Sequence, residues 1–130
     1  VRAALLLAAC ALPAAAQDAA KVQPNSYKVV FENDRMRVLE YNSRPGMGAC
    51  GQGMHTHPAH LTVVVTGGKT RLKLPDGSIK DITSKDGDVF WTEADIPHEI
   101  ENISGRNLRL LLIETKDPTQ QQGTATAKPR

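Results

Sequence analysis

The sequence predicts an all-β domain, a sandwich or barrel of short strands, and three observations carry that prediction. Alternating or β-branched apolar runs recur through the middle of the chain. Clusters of Gly, Pro and Asp separate them at near-regular intervals. The one stretch that could pass for a helix, Leu108 to Thr115, has only strand-like neighbours.

The elements follow in order. Arg35 to Asn42 (RMRVLEYN) alternates, with Met36, Val38 and Glu40 on one face and Arg37, Leu39 and Tyr41 on the other. Leu61 to Thr66 (LTVVVT) is β-branched and stops at Gly67-Gly68, a pair that predicts a hairpin turn. Lys69 to Leu74 alternates and ends at the turn Pro75-Asp76-Gly77. Ser78 to Thr83 forms the next strand, followed by the turn Ser84 to Asp88. Val89 to Trp91 is a short strand, His98 to Asn102 alternates again, and Leu108 to Thr115 is the last strand. Phe90 and Trp91 are read as core or dimer residues, and Tyr27 and Tyr41 as surface residues or the lining of a flat binding face.

Composition narrows the function. The chain has 130 residues and a net charge of +2, with 23% charged residues and no basic stripe, so nothing points to nucleic acid. Aromatics at 4% leave too few rings for a base-stacking platform. The start is read as a leader. Arg2, an apolar run from Ala3 to Leu12, Pro13 and then Ala14-Ala15-Ala16 are the parts of a secretory signal peptide over residues 1–16, cleaved after Ala16. The apolar run is too short to span a bilayer. Leu7 to Cys10 (LAAC) also resembles a lipoprotein signal that would lipidate Cys10, but the apolar run before it is very short, and plain export to the periplasm or the medium is preferred. Cleavage leaves Cys50 as the only cysteine, so no internal disulfide can form. Residues 17–26 read as a loose polar arm, 27–115 as the folded domain, and 116–130 as a disordered tail without apolar periodicity.

The chemistry concentrates in four histidines. His55, His57 and His60 fall within six residues, and His98 stands alone further on. In a strand, side chains at i and i+2 share a face, roughly 6.6 Å apart along it, which lets two imidazoles converge on one metal. A histidine pair alone would be read as solvent-facing; the third histidine beside Pro58 and the strand ending at Gly67 favour a site.

The spacing resembles the cupin superfamily, whose two motifs are Gly-x5-His-x-His-x3,4-Glu-x6-Gly and Gly-x5-Pro-x-Gly-x2-His-x3-Asn. Gly87, His98 and Asn102 keep the length of the second motif, with Glu93 in place of its proline and Asp95 in place of its glycine. His55, His57 and Gly67 match the first, and the glutamate position, counted back from Gly67, falls on His60. Gly46 lies further from His55 than the family spacing allows. The resemblance covers about Phe31 to Thr115 and implies a single-domain cupin, a jelly-roll β-barrel of about eight to ten strands. It implies His55, His57 and His98 as metal ligands, with the family's carboxylate ligand missing. His60 could be a fourth ligand, a group behind the ligands, or a rim residue near substrate.

A histidine set without a carboxylate suits copper first, then iron or manganese, then zinc, and does not suit Mg²⁺ or Ca²⁺. Met47, Cys50 and Met54 could add sulfur ligands, but packing of the methionines and an incidental cysteine is the preferred reading. Glu93 is the candidate rim acid, against the simpler reading of a solvated loop carboxylate, and Glu99 should point away from the pocket. The resemblance includes small secreted copper cupins that cleave cellulose oxidatively, so an oxidoreductase using O2 or peroxide, with a polysaccharide as one substrate, is the leading expectation. The alternatives are a metal- or small-ligand-binding module without turnover, and an iron or manganese dioxygenase or isomerase. A homodimer is expected, since small cupins pair through edge strands, with Tyr27 to Phe31 as the covering segment.

Overall fold

The computed structural model describes residues 17–51, 53–94 and 96–116. Among the described residues there are eight strands and one helical turn. They are α1 (Ala19–Val22), β1 (Tyr27–Glu32), β2 (Met36–Ser43), β3 (His60–Thr66), β4 (Gly68–Lys73), β5 (Ile79–Ser84), β6 (Val89–Thr92), β7 (Glu99–Asn102) and β8 (Leu108–Thr115). They form two antiparallel sheets, a five-stranded one in the order β1-β2-β8-β3-β6 and a three-stranded one in the order β5-β4-β7. The architecture is the all-β barrel that the strand pattern predicts.

Strand alternation decides which residues line the interior. In β2 the inward set is Leu39, Tyr41 and Ser43, all buried; in β8 it is Leu108, Leu112 and Glu114; in β3 it is His60, Thr62 and Val64. Leu39, Tyr41, Leu108 and Leu112 join Tyr27 and Ala19 in one apolar cluster. Three histidines and one carboxylate therefore share the interior with a small apolar core, because His55, His57, His60 and Glu114 are each at most 4% exposed. Asn102 at the end of β7 is fully buried and fully bonded. Its amide donates to the carbonyls of Ser43 and Arg106, and its oxygen accepts from the Ser104 N–H and hydroxyl, which ties the β7–β8 connection to β2.

Four sequence expectations change. Gly67-Gly68 does not turn a hairpin: β3 and β4 lie in different sheets, and the chain steps from one to the other at Gly67. Glycine is needed there for closeness, since a Cβ on Gly67 would collide with the Ser84 carbonyl. The segment 17–26 is not loose. Ala19, Gln23 and Ser26 are buried, and the Gln17 carbonyl accepts from the Thr56 N–H at 3.0 Å. Tyr27 and Tyr41 are interior residues at 3% and 2% exposure, packed ring to ring. Phe90 and Trp91 are not core residues; both are exposed on the edge strand β6. The leader (1–16), the tail from 117 and the expected turn residue Asp95 lie outside the described residues.

Candidate metal centre

His55 and His57 lie on an extended stretch just before β3, and His98 lies just before β7. The stretch is held by backbone pairing on both sides. His55 and His98 form an antiparallel bridge, with His55 N–H to His98 O at 3.1 Å and His98 N–H to His55 O at 3.0 Å. Thr56, between the first two histidines, bridges in parallel to Asp18. Directly opposed partners in a ladder place their side chains side by side. The His55 and His98 ring centroids are accordingly 4.5 Å apart, and His57 is 5.1 Å from His55 and 5.6 Å from His98. The candidate ligand atoms of these three residues all lie within 4.8 Å of one another.

The ring nitrogens are sorted by what they touch. His57 Nδ1 donates to Glu114 Oε1 at 3.0 Å and His98 Nδ1 to the Ile96 carbonyl at 2.9 Å. A proton fixed on Nδ1 leaves the Nε2 lone pair free and makes it more basic, the arrangement metal-binding histidines favour. His57 Nε2 is buried and has no hydrogen-bond partner. An orphaned buried acceptor costs free energy unless something outside the chain satisfies it, so this atom fits a metal. His55 differs: its Nδ1 meets Gln23 Nε2 at 3.1 Å and the Gly53 carbonyl at 3.4 Å, and its Nε2 meets the Tyr27 hydroxyl at 3.3 Å. Burial, with the neighbouring His98 and His57, pushes the His55 pKa down to about 3. Burial also lowers His60 and His98. These three imidazoles are neutral at neutral pH, as metal ligation requires.

His60 opens β3 and is buried beside His57, with ring centroids 5.1 Å apart; its Nδ1 donates to the Pro58 carbonyl at 2.8 Å. It stands outside the converging group of three. Glu93 is exposed and accepts from Trp91 Nε1 at 3.0 Å, with no place in the histidine group. Cys50 is exposed and is in no disulfide among the described residues. Met47 and Met54 are half-buried, and Met47 sulfur faces the Ser26 hydroxyl at 3.9 Å. Glu99 is half-buried along a cleft that it lines with Cys50 and Gly51.

The supporting residues were missing from the sequence reading. Glu114 Oε2 accepts from Arg37 Nε at 2.7 Å, and the rest of the Arg37 guanidinium grips Asp18 at 2.8 and 3.2 Å. The signal was present in β8. Leu108, Leu110, Leu112 and Glu114 share one strand face, so a lone carboxylate aims at the interior beside three leucines. Its needed partner was present in β2, where Arg37 shares its face with Leu39 and Tyr41.

These features define a β-barrel whose interior gathers three histidines that could hold a metal ion. The family model for the cupin domain matches residues 45–114, more than half of the chain, and the chain belongs to that family. Solved structures agree on the fold. A cupin domain from Bordetella pertussis Tohama I is 26% identical, with a TM-score of 0.62, covering 70% of this chain and 92% of that one. An RmlC-like cupin family protein with a double-stranded β-helix fold from Methanocaldococcus jannaschii is 13% identical, with a TM-score of 0.54, covering 73% and 83%. The cupin domain of Schizosaccharomyces pombe Cnp3 is 14% identical, with a TM-score of 0.51, covering 73% and 66%. The curated proteins contain no match. The chain is thus a cupin whose three histidines could hold one metal ion.

Proposed function

We propose that this cupin is an exported oxidoreductase with one copper ion bound by His55, His57 and His98. The observation that carries the reading is the orphaned, buried Nε2 of His57 in a cluster of three imidazoles that contains no carboxylate. Such a donor set favours copper over the oxygen-loving cations, with iron, manganese and zinc ranked behind it. Bound there, the metal would supply one-electron chemistry and polarise an oxygen ligand. The overall reaction would remove two electrons and two protons from an organic substrate. O2 would accept them to give hydrogen peroxide, or peroxide would accept them to give two waters.

The chain's own residues suit that role. Glu114 and the Ile96 carbonyl hold protons on Nδ1 of His57 and His98, which keeps their Nε2 atoms available. The Tyr27 hydroxyl, buried and with its pKa raised well above the usual value by burial, keeps its proton and stands 3.3 Å from His55 Nε2. The two ligands on the first stretch are almost fully buried, at 1% and 4% exposure, while His98 is half-buried. Access therefore lies on the His98 side, and this depth supports a small molecule over a flat polymer such as cellulose. Metal analysis of the purified protein, followed by an ascorbate-driven peroxide assay and oxidation assays on phenolic, thiol and polysaccharide substrates, tests the reading. One copper per chain with turnover supports it, and copper without turnover on any of them favours a binding module instead.

The proposal extends to a homodimer. The outward face of the five-stranded sheet carries one apolar row, Phe31, Val38, Ile113, Leu61 and Trp91, set side by side by the strand registers. Phe31 and Trp91 are each 50% exposed at its two ends. A second copy of the same face would cover the row symmetrically.

A further inference from the structure

The segment ahead of β1 is built into the histidine cluster. Asp18 caps α1 by accepting from the Ala20 N–H, and its carboxylate grips Arg37. Arg37 holds Glu114, and Glu114 holds His57 Nδ1. Five residues further on, Gln23 is 3% exposed, and its side-chain amide contacts both the Gly53 carbonyl and His55 Nδ1 at 3.1 Å. Tyr27, where the segment enters β1, places its hydroxyl against His55. Between the two ligands, Thr56 is paired to the backbone of Gln17 and Asp18. One stretch of about ten residues thus reaches both buried imidazoles by two separate routes.

A purely structural role explains this poorly. An ion network of this kind often contributes no more to stability than apolar groups of the same size, so stability alone does not account for its being aimed at the imidazoles. What these groups do fix is ring orientation and the position of the imidazole proton. With its proton on Nδ1, His55 donates to the Gly53 carbonyl that the Gln23 amide also holds, and its Nε2 lone pair, which accepts from the Tyr27 hydroxyl in the metal-free chain, is then the atom a metal would take.

We infer that residues Asp18 to Tyr27 are a positioning clamp for the metal site, so that docking of this segment and binding of the metal strengthen each other. The inference rests on the metal reading above. Reciprocity follows from linkage: whatever the docked segment adds to metal affinity, the metal returns as protection of the segment. Asp18 and Gln23 act through His57 and His55 and touch no substrate.

The test uses the intact chain and Cu²⁺ alone, titrated against a competing chelator, in wild type, Asp18→Asn, Gln23→Met and the conservative Asp18→Glu. Hydrogen–deuterium exchange of the amides of Lys21, Val22 and Gln23, which bond back to Asp18 and Ala19, is followed with and without copper. The expected result is a loss of copper affinity of about 10–100-fold in Asp18→Asn and in Gln23→Met. Asp18→Glu should keep most of the affinity, and copper should slow exchange of the three amides in wild type. Gln23→Met keeps volume and burial, so it reports on the clamp even if Asp18→Asn folds poorly. Tight copper binding by wild type with equal affinity in Gln23→Met and unchanged amide exchange would overturn the clamp alone. Wild type that takes up no copper would overturn the metal reading and the clamp with it.

Discussion

Glu114 Oε1 accepts from His57 Nδ1 at 3.0 Å, although the two residues are 57 positions apart and Glu114 is 1% exposed. A carboxylate this deep needs partners, and it has two: the imidazole on one oxygen and the Arg37 guanidinium on the other. The motif position of the cupin glutamate is occupied by His60, and the buried carboxylate of this chain stands instead behind His57.

Glu114→Gln should therefore damage both the site and the fold. It removes the charge that Arg37 Nε meets while the guanidinium keeps Asp18, a loss of about 1–3 kcal/mol. It also weakens the hold on His57, which should lower copper affinity about 10–100-fold. Chemical denaturation and chelator competition measure the two effects; unchanged values in both would show that the carboxylate is idle.

The barrel was legible in the sequence, while half of the site was not. Alternation in Arg35 to Asn42 puts Leu39 and Tyr41 on one face and both are buried, although Tyr41 reads from the sequence as a surface or binding-face residue. The histidine spacing gave the three residues whose donor atoms converge. The failures share a cause: each depends on a partner distant along the chain. Segment 17–26 reads as a loose polar arm because its anchors, Arg37, Gly53, His55 and Thr56, lie elsewhere in the sequence. Gly67-Gly68 reads as a hairpin because local turn chemistry cannot show that β3 pairs with β6 and β8 while β4 pairs with β5 and β7.

Acid should destabilise the metal-free protein well before most carboxylates titrate. The folded-state pKa of His55 lies near 3, and His60 and His98 are also lowered, whereas in the unfolded chain they return to about 6.5. Below that value the unfolded chain binds more protons, so the stability present at neutral pH falls as pH drops from about 6.5 towards about 3. Thermal melting of metal-free protein across this window should show a steady decline. A flat profile down to about pH 4 would contradict the buried, neutral state of these rings.

His60→Ala should lower copper affinity less than His57→Ala does. Its ring lies 5.1 Å from that of His57 but outside the converging set, and its Nδ1 is engaged by Pro58. Equal losses in the two variants, by isothermal titration, would make His60 a fourth ligand.

Trp91→Asp should separate a dimer formed through the outer sheet face without disturbing the copper site. Trp91 ends the apolar row at the opposite edge from Phe31, and it is half exposed, whereas the histidines of the first stretch are buried. Light scattering at tens of micromolar (about the range where such contacts saturate) should give a dimer mass for wild type and a monomer mass for the variant. A monomeric wild type would remove the dimer from the account.

The central claim is a single metal held by His55, His57 and His98, and the most direct measurement is copper stoichiometry and affinity of wild type beside His98→Ala. His98 is bonded back to back with His55 and supplies the third donor from the other sheet. The account predicts one tightly held copper per chain in wild type and none retained against a chelator in His98→Ala. Full copper affinity in His98→Ala would contradict it.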